Sequence, residues 1–126
     1  MDKNYENELH QSRELLLGNN FFSTGILTVP ANKKIMEGTI LQTASGKFTV
    51  STAAAGEVGL CVAVDNVVNA SDTAIDVAVR VCIAGPVNSE LLLLGSAKAT
   101  AAQADLLRTY SIVPVKVNQC GSVDNY

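Results

Sequence analysis

The chain has no tryptophan, only three prolines and one histidine, and aromatic residues make up 5% of its 126 positions. A core must then be filled by Val, Leu, Ile and Ala. Charge is also scarce: Asp, Glu, Lys and Arg together are 17%, against about 25% in an ordinary soluble protein. No uninterrupted apolar run approaches the roughly 20 residues that a helix needs to span a bilayer, so no membrane is expected as a partner. Three cysteines without C-x-x-C spacing leave no zinc or disulfide framework. The net charge is −3, with a pI near 5.0, and the cations form no stripe, which argues against nucleic acid. The start, Met1 to Glu8, lacks the basic and apolar regions of a secretory signal, so synthesis and residence in the cytoplasm, with free thiols, are expected.

What is present is alternation. From Ile75 to Gly85, large apolar residues recur at every second position, and Val58 to Asp65 repeats the pattern with small residues between the large ones. Period two marks β-strands with one buried face, and the small residues suit close packing over the other. Ile26 to Val29 is a further strand, ended by Pro30, which has no N–H for the ladder. Gly38 to Thr43 and Lys47 to Ser51 flank Ala44-Ser45-Gly46 and predict a three-residue hairpin. Asn66 to Thr73 reads as a loop, and Leu91 to Leu94 as buried extended chain. Thr100-Ala101-Ala102-Gln103 matches a capping box opening a short helix over 101–109. Ile112 to Val117 reads as a last strand, with Pro114 suited to an edge. The fold class is therefore mainly β, a small barrel or sandwich with one short helix. Residues 1–20, acidic and polar, form an N-terminal arm expected to be flexible until docked; 21–117 form the β-rich domain and 118–126 a tail.

Residues able to do chemistry are few. His10 lies in the arm, away from any orienting partner. Cys61 and Cys82 fall inside strand patterns and read as small core residues; Cys120 lies in the tail. Asp65, Asp72 and Asp76 lack the glycine turn and closing Glu of a calcium loop, so they read as turn and edge carboxylates and no metal site is expected. Neither a cofactor nor enzymatic activity is expected. Arg80 projects opposite Val79 and Val81; it either pairs with Asp76 on the same face or contacts a second subunit. The adjacent Phe21 and Phe22 serve either the core or a partner contact.

The ordered set Ser12-Arg13-Glu14-Leu15-Leu16-Leu17-Gly18, Gly38-Thr39-Ile40-Leu41, Ala44-Ser45-Gly46-Lys47-Phe48, Val58 to Asp65, Gly85-Pro86-Val87-Asn88, Leu93-Leu94-Gly95, Ala104 to Arg108 and Ile112 resembles the head decoration proteins of tailed bacteriophages. It runs from about residue 12 to 117 and includes no catalytic motif. The resemblance implies a β-tulip domain on the exterior of the virion. It further implies homotrimers seated on three-fold sites of the expanded capsid, stabilising it against the pressure of packaged DNA. The partners implied are the major capsid protein and the chain itself. The arm would order on the shell by adding a strand, with Glu14, Leu15, Leu16, Leu17, Phe21 and Phe22 as the expected capsid contacts. The tail beyond the closing strand and the acidity of the arm depart from the family pattern. A β-barrel binding module or head fibre that recognises a host-surface glycan or protein is the alternative from another class, and would call for exposed aromatics.

Overall fold

Residues 14–52 and 56–117 are described in the computed structural model. Along the chain run β1 (Phe21–Val29), β2 (Lys34–Ile35), β3 (Ile40–Ala44), β4 (Lys47–Val50), β5 (Cys61–Ala63), β6 (Val67–Val68), β7 (Ile75–Asn88), β8 (Leu93–Leu94), β9 (Ala97–Lys98), α1 (Ala101–Asp105) and β10 (Ile112–Val115). Hydrogen bonding links β1, β4, β3, β5 and β7 in that order, and β7 returns to pair with β1, so the sheet closes into a five-stranded barrel. Closure follows from the length of β1 and β7, which pair antiparallel from Phe21↔Ala84 to Val29↔Ile75. Beyond the barrel, the last four residues of β7 pair in parallel with β10.

Alternation divides the apolar residues between two cores. Inside the barrel lie Leu27, Val29, Leu41, Cys61, Ala63, Val79 and Val81, together with Ile35. Their neighbours Ile40, Val62 and Cys82 point out of the barrel wall into a second core, which Leu15, Val87, Leu92, Leu107 and Ile112 complete. The chain from Ser89 to Tyr110 thus serves as a cover over one side of the barrel. Each fully buried Leu or Val side chain contributes about 1.5–3 kcal/mol of transfer free energy. All three residues of β5 are buried because that strand is covered on both faces, which explains the small residues noted between its large ones.

The mainly β fold, the barrel and the short helix agree with the sequence expectations, whereas several boundaries differ. The β3–β4 turn has two residues instead of three: Ser45 and Gly46 both have positive φ (54° and 79°), the geometry that matches strand twist in a tight hairpin. The 58–65 strand shrinks to Cys61–Ala63, because Gly59 takes a positive φ of 62° and turns the chain. The 66–73 loop contains β6, which pairs with β2. β1 begins at Phe21, five residues earlier than Ile26, and β7 continues through Gly85 and Pro86. The capping box forms in full: Gln103 N–H donates to Thr100 Oγ1 at 3.2 Å and Thr100 N–H to Gln103 Oε1 at 2.9 Å. The helix it opens tightens into a 3₁₀ turn at Leu106–Tyr110, ended by Ser111 at φ 71°. The strand expected to run on to Val117 ends at Val115. Residues 1–13, with His10, and 118–126, with Cys120, lie outside the described residues.

Candidate functional site

The chemistry-bearing residues are occupied structurally. Cys61 is buried, and that burial, with Cys82 nearby, pushes its thiol up to about 12, far from a reactive thiolate at neutral pH. Asp72 accepts from Asn32 Nδ2 at 3.3 Å. Asp76 accepts from Thr28 Oγ1 at 2.8 Å and pairs with Lys47 Nζ at 2.6 Å, bonds that hold its carboxyl below the usual range. Because β1 lies between β4 and β7, this pair clasps three strands where the barrel closes. Arg80 pairs with Asp65 at 3.7 Å and not with Asp76, which Lys47 already engages. Its guanidinium also lies over the Phe22 ring, 5.1 Å from the centroid. Among the described residues no group of three or more His, Cys, Asp or Glu could hold a metal ion.

The distinctive geometry is at the base of the arm. Residues 14–20, expected to be part of a free arm, lie against the outer half of β7. Asn88 N–H donates to Leu15 C=O at 2.8 Å, Leu17 N–H donates to Pro86 C=O at 3.2 Å, and Leu16 bridges to Val87. Asn20 Nδ2 donates to Pro86 C=O at 2.8 Å. Gly85, at φ 109°, makes the approach possible, since a Cβ there would meet Asn19 O and Asn20 Cα at 2.9 Å. Leu15 is 3% exposed and belongs to the second core. Leu15, expected as a capsid contact, thus has its side chain taken up by the chain's own core. Glu14 is exposed and Leu16 and Leu17 are half-buried.

This docking leaves one edge open. Extended chain alternates the direction of its backbone groups, so with Leu15 and Leu17 bonded to β7, the N–H and C=O of Leu16 face away from it. No described residue bonds them, and the depression there, about 450 Å³, is lined by Glu14, Leu15, Leu16 and Glu37. The opposite edge, β10, is obstructed at Pro114. Gly85 N–H donates to Ser111 C=O, so alternation turns Ile112 and Pro114 outward; Pro114 has no N–H, and its C=O accepts from Arg108 Nη2 at 3.2 Å.

Beside the open edge runs an apolar row. Register places Val113 next to Pro86, and Pro86 is bonded to Leu17. One turn of chain away, Phe21 pairs with Ala84 and Phe22 with Cys82, which leaves Ile83 as an unpaired bulge residue. Phe21 is 66% and Phe22 41% exposed, and Ile83, Val113 and Val115 are exposed as well. Both phenylalanines thus belong to the surface and not to the core.

No known family model matches this chain, and no curated protein matches its sequence. Of the expected contacts, the fold brings Leu16, Leu17 and Phe21 to the same end of the molecule and leaves Arg80 on the barrel wall with Phe22. Ile83, Val113 and Val115 were not anticipated. The alternation of Ile112-Val113-Pro114-Val115 carried the signal for two of them, since one face of an edge strand over a core must point outward.

Proposed function

We propose that this chain is a non-enzymatic structural protein of a virion: a homotrimer that binds the outer surface of an expanded phage capsid at three-fold sites and stabilises it against the pressure of packaged DNA. The observation that carries the proposal is the pairing of an open strand edge at Leu16 with the apolar row Leu17–Pro86–Val113 beside it. An open edge offers main-chain hydrogen bonds to a partner strand, and neighbouring apolar side chains give it register and affinity. At the other edge Pro114 offers no N–H and its C=O is engaged by Arg108, which disfavours strand addition there and favours the arm side. Reactive groups held in structural pairs and a thiol buried in the barrel suit a protein that acts through its surfaces. A trimer engaging three sites at once gains from effective concentration, so each contact need only be modest.

The proposal is tested by mixing full-length protein with undecorated, expanded shells of the major head protein from the same genome and sedimenting them. Saturable binding, weakened by deleting residues 1–13 and by Leu16→Pro, which removes the outward N–H, is the expected result. Full-length protein remaining in the supernatant at every concentration would reject it. That outcome would favour a module binding a host-surface glycan or protein, for which the 66% exposure of Phe21 is the supporting feature.

A further inference from the structure

Seven cations lie among the described residues beyond those of the arm, and they are not treated alike. Lys47, Arg80, Lys98 and Arg108 each form an ion pair, with Asp76, Asp65, Glu90 and Asp105 respectively. The charge of Lys116 acts on Glu90. Lys33, Lys34 and Lys116 take part in no ion pair among the described residues, and of these Lys33 and Lys34 are adjacent and both exposed. In a chain of net charge −3, two neighbouring ammonium groups without a carboxylate are a local exception.

They stand at a cleft of about 260 Å³ whose lining is otherwise mainly apolar: Pro30, Ile35 and Val50, with Thr39 and the β8–β9 turn closing it. Thr39 Oγ1 already donates to Met36 C=O at 2.7 Å, so its hydroxyl proton is engaged within the chain. The lining suits one inserted apolar side chain, and the lysines suit carboxylates on either side of it. A nucleic-acid backbone fits poorly, since it needs a longer track of cations than two. The cleft and the depression at Leu16 are separate and share no lining residue, with Gly38 between them. Leu15 packs against Gly38, Gly38 precedes Thr39, and Glu37 lines the depression beside Leu16.

We infer that this cleft receives an acidic segment of the shell protein, an apolar side chain flanked by carboxylates, next to the strand added at Leu16. The inference rests on the decoration proposal and names the chemistry of its partner. Lys33 and Lys34 then supply the salt-sensitive part of the binding, and Ile35 and Val50 the part insensitive to salt.

The test uses full-length protein, its K33E/K34E and K33R/K34R forms, and undecorated expanded shells, with affinity measured from low to high salt. Both lysines are exposed, and matching circular dichroism spectra and urea midpoints verify that the variants fold. The expected result is that K33E/K34E weakens binding at low salt by at least about tenfold and flattens the salt dependence, while K33R/K34R stays within about threefold of the parent. Unchanged affinity and salt slope in K33E/K34E would overturn the inference while leaving decoration standing. Tighter binding by K33E/K34E would also overturn it, since the cleft would then hold an acidic segment of this chain that competes with the shell. Failure of the parent protein to bind at any salt concentration would reject the decoration proposal itself, and the inference with it.

Discussion

Replacing Leu15 by Ala tests whether the base of the arm belongs to the folded body. Leu15 is 3% exposed and packs with Ile40, Val62, Val87 and Leu92 in the second core. Core Leu→Ala changes cost about 2–5 kcal/mol, and the cost rises with the cavity left behind. Here residues 15–17 lie at the edge of the fold, held to β7 by the Asn88–Leu15 and Leu17–Pro86 backbone hydrogen bonds, so the surroundings can relax and the lower half of the range applies, about 2–3 kcal/mol. For a chain of this size that lowers the melting temperature by roughly 6–15 °C. Leu17→Ala, at a half-buried position, is the control and should cost less than about 1 kcal/mol. Urea denaturation followed by circular dichroism is the suitable assay, since the chain has no tryptophan. A shift in midpoint at constant slope is expected. An L15A protein as stable as its parent would refute the placement of Leu15 in the core.

Gly85→Ala should cost at least about 2 kcal/mol, because a Cβ at φ 109° meets Asn19 and Asn20 backbone atoms; a urea midpoint equal to the parent's would contradict this. Asn69 is buried, donates to the carbonyls of Val29, Pro30 and Thr73 and accepts from Ser71, so Asn69→Leu should destabilise by about 3 kcal/mol through orphaned backbone groups, again read by urea. The Asp76 carboxyl is held below its ordinary value of 3.8 by Thr28 and Lys47. The stability it supplies is therefore fully present above that value and is lost as the pH falls through the lower folded value. Asp76→Asn should flatten the acid limb of a plot of urea midpoint against pH, and an unchanged limb would show that the clasp is not linked to folding. Cys61 and Cys82 should resist a thiol reagent at pH 8 until the chain unfolds, as read by mass spectrometry of labelled peptides; labelling of either in the native protein would contradict their burial.

The strands that build the barrel were legible because their two faces differ. The alternation of residues 75–85 marks a strand whose Val79 and Val81 face the barrel interior, although Cys82 is buried on the other face, and the structure extends the strand to Asn88 because Gly85 bends it out of the barrel instead of ending it. The capping box was legible because its partners are three residues apart, so no tertiary context was needed. The docking of residues 14–17 was not legible. Four polar or apolar residues after an acidic stretch carry no period, and what orders them is an edge of β7 some 70 positions away. The same holds for Arg80, whose partner Asp65 comes from the bend after β5 and not from its own strand. The apolar row of the candidate site joins three segments distant in sequence, so its members could be suspected singly but not as one surface. The placement of Leu15 also bears on how the arm should be cut: a deletion ending at residue 13 leaves Leu15 in place, whereas one ending at residue 20 removes it from the core.

The most direct measurement is an electron cryomicroscopy reconstruction of expanded shells incubated with the full-length protein. Trimeric density at the three-fold positions, with the 14–17 segment and the Phe21–Val113 surface turned toward the shell, is the predicted result. Bare three-fold positions at saturating protein, or density that meets the shell through a face lacking the 14–17 segment, would contradict the account.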